Sequence, residues 1–170
     1  MSDLDWHIAQ LNVGRLLAPP GSPVVADFMA SLDRINGLAE ASPGFVWRLK
    51  SDGGNATDIR VGDADPQFII NMSVWDSVEA LFEFVYRTAH TQVMVRRRQW
   101  FERPSAAYQV LWWVPAGYRP SPEEALARLD YLRQHGPTLW AFTFKQRYAP
   151  PQNPDAPTDM QPEPNCVGWS

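Results

Sequence analysis

The chain has 170 residues with a hydrophobic content of 45%, which is enough for one packed domain with some sequence left over. Its formal net charge of -4 argues against nucleic-acid binding, because that function needs a basic surface. The single cysteine, Cys166, excludes an intramolecular disulfide and a cysteine metal cluster within one chain.

The first residues carry acids where a signal peptide would carry a basic region. No apolar run in the sequence approaches the roughly 20 residues that a membrane span requires. We therefore expect a cytoplasmic protein with neither membrane nor nucleic-acid partners.

The chain begins with a strand and a helix. Residues 6–13 alternate between two faces with a period of two, which predicts a strand. A connector rich in proline and glycine follows, and such a sequence cannot continue a ladder or a helix. Apolar residues then recur at helical spacing over residues 25–41, which predicts the first helix.

A second, shorter strand is predicted over residues 45–50. Its alternation places Phe45, Trp47 and Leu49 on one face. The polar residues 51–66 contain Gly-Gly and Asp-Pro, which are typical of a long loop or an open hairpin. This segment is a candidate lid over a site.

The most strongly patterned part of the sequence joins a strand to a helical segment. Residues 68–75 alternate as a strand does, so Asn71 and Trp75 point to the same face. Asp76, with a glutamate three residues later, predicts a capped helix start. Helical spacing then continues in two runs as far as residue 101.

The last elements follow the same logic. Aromatic and branched residues over 108–114 predict a strand. Ser121 and Glu124 form a capping box at the start of a helix that ends at Gly136. Alternating aromatics over residues 140–144 predict a final short strand.

These elements predict one domain over residues 1–145 and a flexible, proline-rich tail over residues 146–170. The order of strands and helices is typical of an α+β, ferredoxin-like sandwich, in which the helices could all cover one side of an antiparallel sheet. Strands that are apolar on both faces would then leave one apolar face bare. We therefore expect a homodimer in which a second subunit covers that face, forming a dimeric α/β barrel.

Several segments carry a family resemblance. INMSVWDSVEALFEFVYRTAH, residues 70–90, resembles the strand-to-helix unit of the antibiotic-biosynthesis-monooxygenase-like proteins, in which a strand ends in Trp-(Glu/Asp)-Ser and a helix leads to a His. HIAQLNVGRL, ASPGFVWRL, NATDIRV, LWWVPAGYRP and EALARLDYLR resemble more closely a bacterial family of that superfamily, domain of unknown function 3291. The resemblance implies a ferredoxin-like dimer that forms an α+β barrel.

The resemblance also implies site residues. In the monooxygenase and haem-degrading members, an Asn on the first strand, a Trp at the end of the third and a His on the next helix line the pocket. Asn12, Trp75 and His90 stand at these positions and are the candidate catalytic residues. His90 lies further along the helical segment than the haem ligand of those enzymes, so we expect no cofactor, with haem as the alternative.

The residue types themselves support this chemistry. Asn12 and Asn71 are amides in predicted strands, where Asn is disfavoured, so each is either a satisfied structural amide or a donor to a substrate oxygen. His90 could act as a base near neutral pH or form a core hydrogen bond. No second His or carboxylate follows it at i+3 or i+4, so we expect no metal site built on this helix.

Arginines and tryptophans complete the candidate substrate contacts. Arg97 stands in a run of three arginines that could simply complement a helix C-terminus. The alternative is that Arg97, or Arg15 after the first strand, turns inward and binds a carboxylate or phenolate. Trp47 and Trp112 could belong to the core and a dimer interface, or to an aromatic pocket for a flat substrate.

The sequence lacks a G-x-S-x-G elbow, a P-loop, a dinucleotide-binding glycine pattern, H-E-x-x-H and C-x-x-C. The first hypothesis is therefore a small tailoring enzyme, monooxygenase-like or isomerase-like, acting on an aromatic or polyketide-like small molecule. The alternatives are a non-catalytic small-ligand-binding protein, or a module that docks or modifies a peptide such as its own C-terminal tail.

Overall fold

The computed structural model describes residues 5–51, 65–88 and 90–151. Most of the predicted lid and of the predicted tail lies outside these residues. In the part described, no helix combines the length and apolar character of a membrane span. The strands are β1 (Trp6–Arg15), β2 (Phe45–Arg48), β3 (Phe68–Trp75) and β4 (Gln109–Pro115), and the helices are α1 (Ala26–Ala41), α2 (Val78–Arg87), α3 (His90–Val95), α4 (Arg97–Trp100) and α5 (Pro122–His135).

The four strands form one antiparallel sheet in the order β2-β3-β1-β4. Helix α1 connects β1 to β2, and α2 to α4 connect β3 to β4, which is the ferredoxin-like arrangement. The predicted α+β class with an antiparallel sheet is therefore confirmed. The central strand β1 pairs with both neighbours, so residues of β3 and β4 lie beside it in fixed register.

Two of the helix starts have the serine caps that their sequences allow. Ser121 Oγ accepts a hydrogen bond from the Glu124 amide at 3.1 Å, as the capping box predicts. At α2 the cap is Ser77, whose Oγ accepts from the Ala80 amide at 3.1 Å. The helix therefore begins one residue later than predicted, and Asp76 instead donates its backbone N-H to the Gly44 carbonyl.

The expectation that all helices cover one side of the sheet is wrong. Helices α1 and α2 pack on the face that carries Ile8, Trp75 and Leu111. Helix α5 packs on the opposite face, where Leu129 joins a core with Trp112. That face is therefore covered within the chain. The homodimer was predicted because that face was expected to be bare, so this reason no longer holds, and the homodimer itself stays a prediction.

Strand β2 also departs from the predicted alternation. Its register against β3 shifts between Phe45 and Trp47, because a β-bulge interrupts the pairing. Phe45 consequently packs on the α1 and α2 face, whereas Trp47 packs on the α5 face. The bulge leaves Arg48 opposite Ser73 in the register.

The strand predicted over residues 140–144 is replaced by turns with isolated bridges. Only Phe142 pairs with β4, through two backbone hydrogen bonds to Leu111 of 2.8 and 2.9 Å. Contacts with the sheet continue to Tyr148, whose carbonyl accepts a hydrogen bond from Trp113 Nε1 at 2.9 Å. The chain thus still packs on the domain three residues beyond the predicted boundary at residue 145.

We expect Gly44→Ala to destabilise the fold by about 2–4 kcal/mol. Gly44 has a φ of +84°, and a Cβ there would lie 2.5 Å from both Ala80 Cβ and Asp76 Oδ1. Gly117, with a φ of +88° and no atom within 4 Å of an added Cβ, is the matched control. Gly117→Ala carries the backbone strain alone, about 1–2 kcal/mol. Equal losses for the two variants in urea denaturation would show that the close packing between Gly44 and α2 contributes nothing.

Candidate functional site

A cavity of about 180 Å³ lies between the sheet and the helices α1 to α4. Its walls are formed by Phe28 and Ile35 of α1, Val85 of α2 and Met94 of α3, which make it largely apolar. A second cavity of about 60 Å³ shares several of its lining residues and reaches towards Gln10 and other polar groups of the sheet. The arrangement suits a small organic molecule with a few fixed polar contacts.

The sheet side of the cavity is a row of amides. Asn12 of β1 pairs directly with Asn71 of β3 and with Gln109 of β4, and all three line the cavity. Residues directly opposite each other in an antiparallel sheet project from the same face, so the three side chains lie side by side. The register thus brings together the two asparagines that the sequence singled out.

A chain of hydrogen bonds lies beneath these amides. Trp75 Nε1, which can only donate, donates to Ser73 Oγ at 2.9 Å. Gln10 Nε2 donates to the same Oγ and to Asn71 Oδ1, both at 2.9 Å. Asn12 Nδ2 donates to Gln10 Oε1 at 3.4 Å. Because Asn71 Oδ1 is occupied as an acceptor, Asn71 has its N-H donors left for the cavity.

His90 lies at the first position of α3, not within a long helix as predicted. Thr88 ends α2, and its Oγ1 accepts a hydrogen bond from the His90 amide at 3.3 Å. His90 Nδ1 lies 3.3 Å from the Val85 carbonyl, which can only accept, so Nδ1 carries the proton and Nε2 the lone pair. Burial lowers the pKa of His90 below its ordinary value of 6.5, and the hydrogen bond to Val85 opposes this effect.

Arg97 contributes a cation to the wall of the cavity. Its guanidinium carbon lies 4.6 Å from the centre of the Phe101 ring and 4.5 Å from that of Tyr108. Its Nη2 donates to the Val13 carbonyl at 3.1 Å, while its buried Nε has no hydrogen-bond partner in the part of the chain described. Burial lowers the pKa of Arg97, although an arginine remains charged at neutral pH.

The other two arginines near the site have carboxylate partners. Arg48 lines the cavity, and its Nε lies 2.8 Å from Oε1 of Glu40. Arg15, predicted to contact substrate, pairs with Asp65 and with Glu102 and does not line the cavity. Neither supplies the cavity with an uncompensated charge.

The three candidate tryptophans do not line the cavity. Trp75 is completely buried, stacks on Phe84 with ring centres 5.1 Å apart, and reaches the site only through Ser73. Trp112 and Trp47 pack in the core on the α5 face, so the sheet lies between them and the cavity. Trp75 and Asn71 share a face of β3, as predicted, but they are connected only through the hydrogen bonds of Ser73 and Gln10.

Some residues of the site were not singled out from the sequence. Gln10 lies two residues before Asn12, and this spacing on one strand face was an available signal. Gln109 could be identified only from the β1–β4 register, and Arg48 only from the bulge in β2. Tyr108 precedes β4, and nothing in its sequence context distinguishes it from a core aromatic.

Metal and haem can be tested against these residues. Within the described ranges, no group of three or more His, Cys, Asp and Glu side chains could hold a metal ion. A porphyrin is larger than the enclosed space of about 180 Å³ beside His90, so a haem held there would have to extend through the open side of the cavity.

Comparison with solved structures found three similar chains. A protein of unknown function from Nitrosomonas europaea is 15% identical with a TM-score of 0.42, and the match covers 71% of this chain and 98% of that one. SnoaB, a cofactor-independent oxygenase from Streptomyces nogalater, is 12% identical in a mutant form with a TM-score of 0.44, over 66% of this chain and 95% of that one. In a second SnoaB structure the corresponding values are 14%, 0.42, 68% and 97%.

A search of the curated proteins found no significant match. The family described as Domain of unknown function (DUF3291) matches residues 7–158, which include every cavity residue named above. A match of that length confirms the resemblance, and the chain belongs to this family.

Proposed function

We propose that the protein is a cofactor-independent tailoring enzyme of the monooxygenase-like type that acts on a small aromatic molecule. The observation that carries the proposal is the convergence of His90, Asn12 and Asn71 on one cavity of about 180 Å³. A binding pocket needs shape and a few polar contacts, whereas a base with a lowered pKa beside hydrogen-bond donors is the equipment of proton abstraction.

The proposed reaction begins at His90. Nε2 removes a proton from a phenol or from a methylene activated by an aromatic ring and a carbonyl. The N-H of Asn12 that is not bonded to Gln10 stabilises the negative charge that develops on the oxygen. Dioxygen is the co-substrate that oxidises this electron-rich anion. In the methylene case both C-H bonds are replaced by C=O, one oxygen atom enters the product and the other leaves as water. In the phenol case the ring C-H para to the hydroxyl is replaced by C=O, the phenol oxygen becomes the second carbonyl of a quinone, and the other oxygen atom of dioxygen again leaves as water. The substrate supplies all four electrons, so no external reductant is needed.

We expect the purified protein to accelerate oxygen uptake by at least one of four bicyclic probes: 2-indanone, 2-tetralone, a dihydroxynaphthalene and a dihydroxynaphthoate. The measurement is made in an oxygen electrode with metal-free buffer, against the spontaneous rate. Product mass identifies the C=O inserted, and labelled dioxygen identifies its source. Unchanged oxygen uptake with every probe would contradict the proposal.

The alternative function is binding without chemistry, and Arg97 is the observation that favours it. A guanidinium in the cavity wall can hold an anionic ligand with no reaction at all. Tight binding of a probe that is recovered unchanged, with no oxygen uptake, supports this alternative over the enzyme.

A further inference from the structure

We infer that the cavity is specific for a monoanion, a carboxylate on a frame of one or two fused aromatic rings, and that Arg97 and the amide N-H of Asn71 bind the carboxylate. The inference adds the class of substrate to the proposed function. It rests on that function in one respect only, namely that both use the same cavity.

The first step is the charge of the cavity. Among its lining residues, drawn from the described ranges, there is no Asp or Glu, and the charged ones are Arg48 and Arg97. Glu40 compensates Arg48 at 2.8 Å. Arg97 has no acidic partner in those ranges, so the cavity carries one uncompensated positive charge. A partly buried cation without an anionic partner is costly, and an anionic ligand reduces that cost.

The second step is how Arg97 is held. The rings of Phe101 and Tyr108 lie within 4.6 Å of its guanidinium carbon, and Nη2 is tied to the Val13 carbonyl. A Cβ on Gly14 would lie 2.9 Å from Nη2 and 2.5 Å from Phe101 Cδ1, so a glycine permits this packing. A guanidinium held in this way loses little freedom when it binds a ligand, which is the condition for selective recognition of a carboxylate.

The third step is the second donor. Gln10 Nε2 donates to Asn71 Oδ1 and to Ser73 Oγ, so the N-H groups of Asn71 are left for the cavity. Asn71 is exposed to the cavity although its neighbours in β3 are buried. The site therefore presents a cation and a neutral donor, which fits a carboxylate better than a second cation or a neutral ketone.

The last step is size. A cavity of about 150 Å³ is known to hold one benzene ring. The cavities of about 180 Å³ and about 60 Å³ here share several lining residues and together enclose room for one or two fused rings. Phe28, Phe101 and Tyr108 supply aromatic walls for these rings.

The test compares hydroxynaphthoate with its methyl ester by titration calorimetry. We expect the acid to bind at least about tenfold more tightly than the ester, since a hydrogen bond to a charged group contributes about 1.5–3 kcal/mol. In Arg97→Gln this preference should disappear. Arg98→Gln is the matched control, because Arg98 is exposed, lies one residue away and does not line the cavity.

Asn71→Asp is the second variant, because it keeps the fold if Arg97→Gln does not. An Asp carboxylate can still accept the hydrogen bond from Gln10, but it offers the ligand no N-H and adds a negative charge. We expect the acid to bind at least about tenfold less tightly to Asn71→Asp, with the ester little changed. Equal affinities of acid and ester for the native protein, equal losses in Arg97→Gln and Arg98→Gln, or no binding of the acid would each overturn the inference. Binding without oxygen uptake would instead overturn only the proposed enzyme.

Discussion

His90→Gln should lower the rate of oxygen uptake by about 100- to 10,000-fold while the affinity for substrate changes little. Gln can retain a hydrogen bond to the Val85 carbonyl at the start of α3, so the local fold is preserved. It has no basic nitrogen, so the step that creates the substrate anion is lost. The measurement separates kcat from KM, because a loss confined to KM would mean that His90 only contacts the ligand.

The pH profile gives an independent check on His90. The base works in its neutral form, and burial lowers the pKa of His90 below 6.5. The rate should therefore be constant at neutral pH and fall only as the pH drops through this lowered pKa. A rate that falls already at pH values above 6.5 would assign the titration to a different group.

The pH dependence of folding stability should also report the titration of His90. The folded state holds His90 neutral where the unfolded chain, with a pKa of 6.5, already binds a proton. Stability is therefore fully present above pH 6.5 and is lost as the pH falls from there through the lowered pKa of the folded state. In His90→Gln this part of the slope disappears. His135→Gln is the control, since His135 packs on Tyr131 of α5, on the other side of the sheet.

The sheet was readable from the sequence because each strand has a local signal. Residues 68–75 alternate with a period of two, residues 108–114 are rich in aromatic and branched side chains, and the structure places strands within one residue of those limits. The helices were readable for the same reason, apart from their ends. What could not be read was the face on which α5 packs, because its apolar stripe fits either side of a sheet whose two faces are both apolar.

Some residues of the site can also be predicted from local sequence, whereas others depend on the pairing of strands. Asn12, Asn71 and His90 line one cavity, and each has an unusual residue type for its local pattern. Gln10 and Gln109 depend on the pairing of β1 with its two neighbours, which a single sequence does not specify. A register is fixed by contacts between distant strands, so polar networks that cross a sheet are the part of a site that sequence patterns describe least well.

Trp75 illustrates how a correct position can carry a different role. The sequence places it at the end of the third strand, facing the same way as Asn71, and the structure agrees. Its ring, however, is completely buried between Phe45 and Phe84. Its connection to the cavity runs through hydrogen bonds: its indole N-H donates to Ser73 Oγ, which also accepts from Gln10, the donor to Asn71.

Among substitutions in the sheet that keep the side-chain volume nearly unchanged, Gln10→Leu should cause the largest loss of stability. Gln10 is 3% exposed, and its amide satisfies Asn71 Oδ1, Ser73 Oγ and one N-H of Asn12. Leucine fills the space but leaves these groups without partners at the base of the cavity. Each buried group without a partner costs about 1–3 kcal/mol, and two of the three face partly open space, so we expect a loss of about 2–4 kcal/mol in urea denaturation.

Gln109→Leu is the matched control for that loss. Gln109 lies on the same face of the sheet beside Asn12, is half-buried, and makes no side-chain hydrogen bond within the described residues. Its replacement should change stability by less than about 0.5 kcal/mol. If the two leucine variants were equally stable, the amides would find other partners without Gln10, and Asn71 would be free to turn. In that case the preference for the acid over its ester should weaken in Gln10→Leu, because the fixed donor is lost. An unchanged preference would assign carboxylate binding to Arg97 alone.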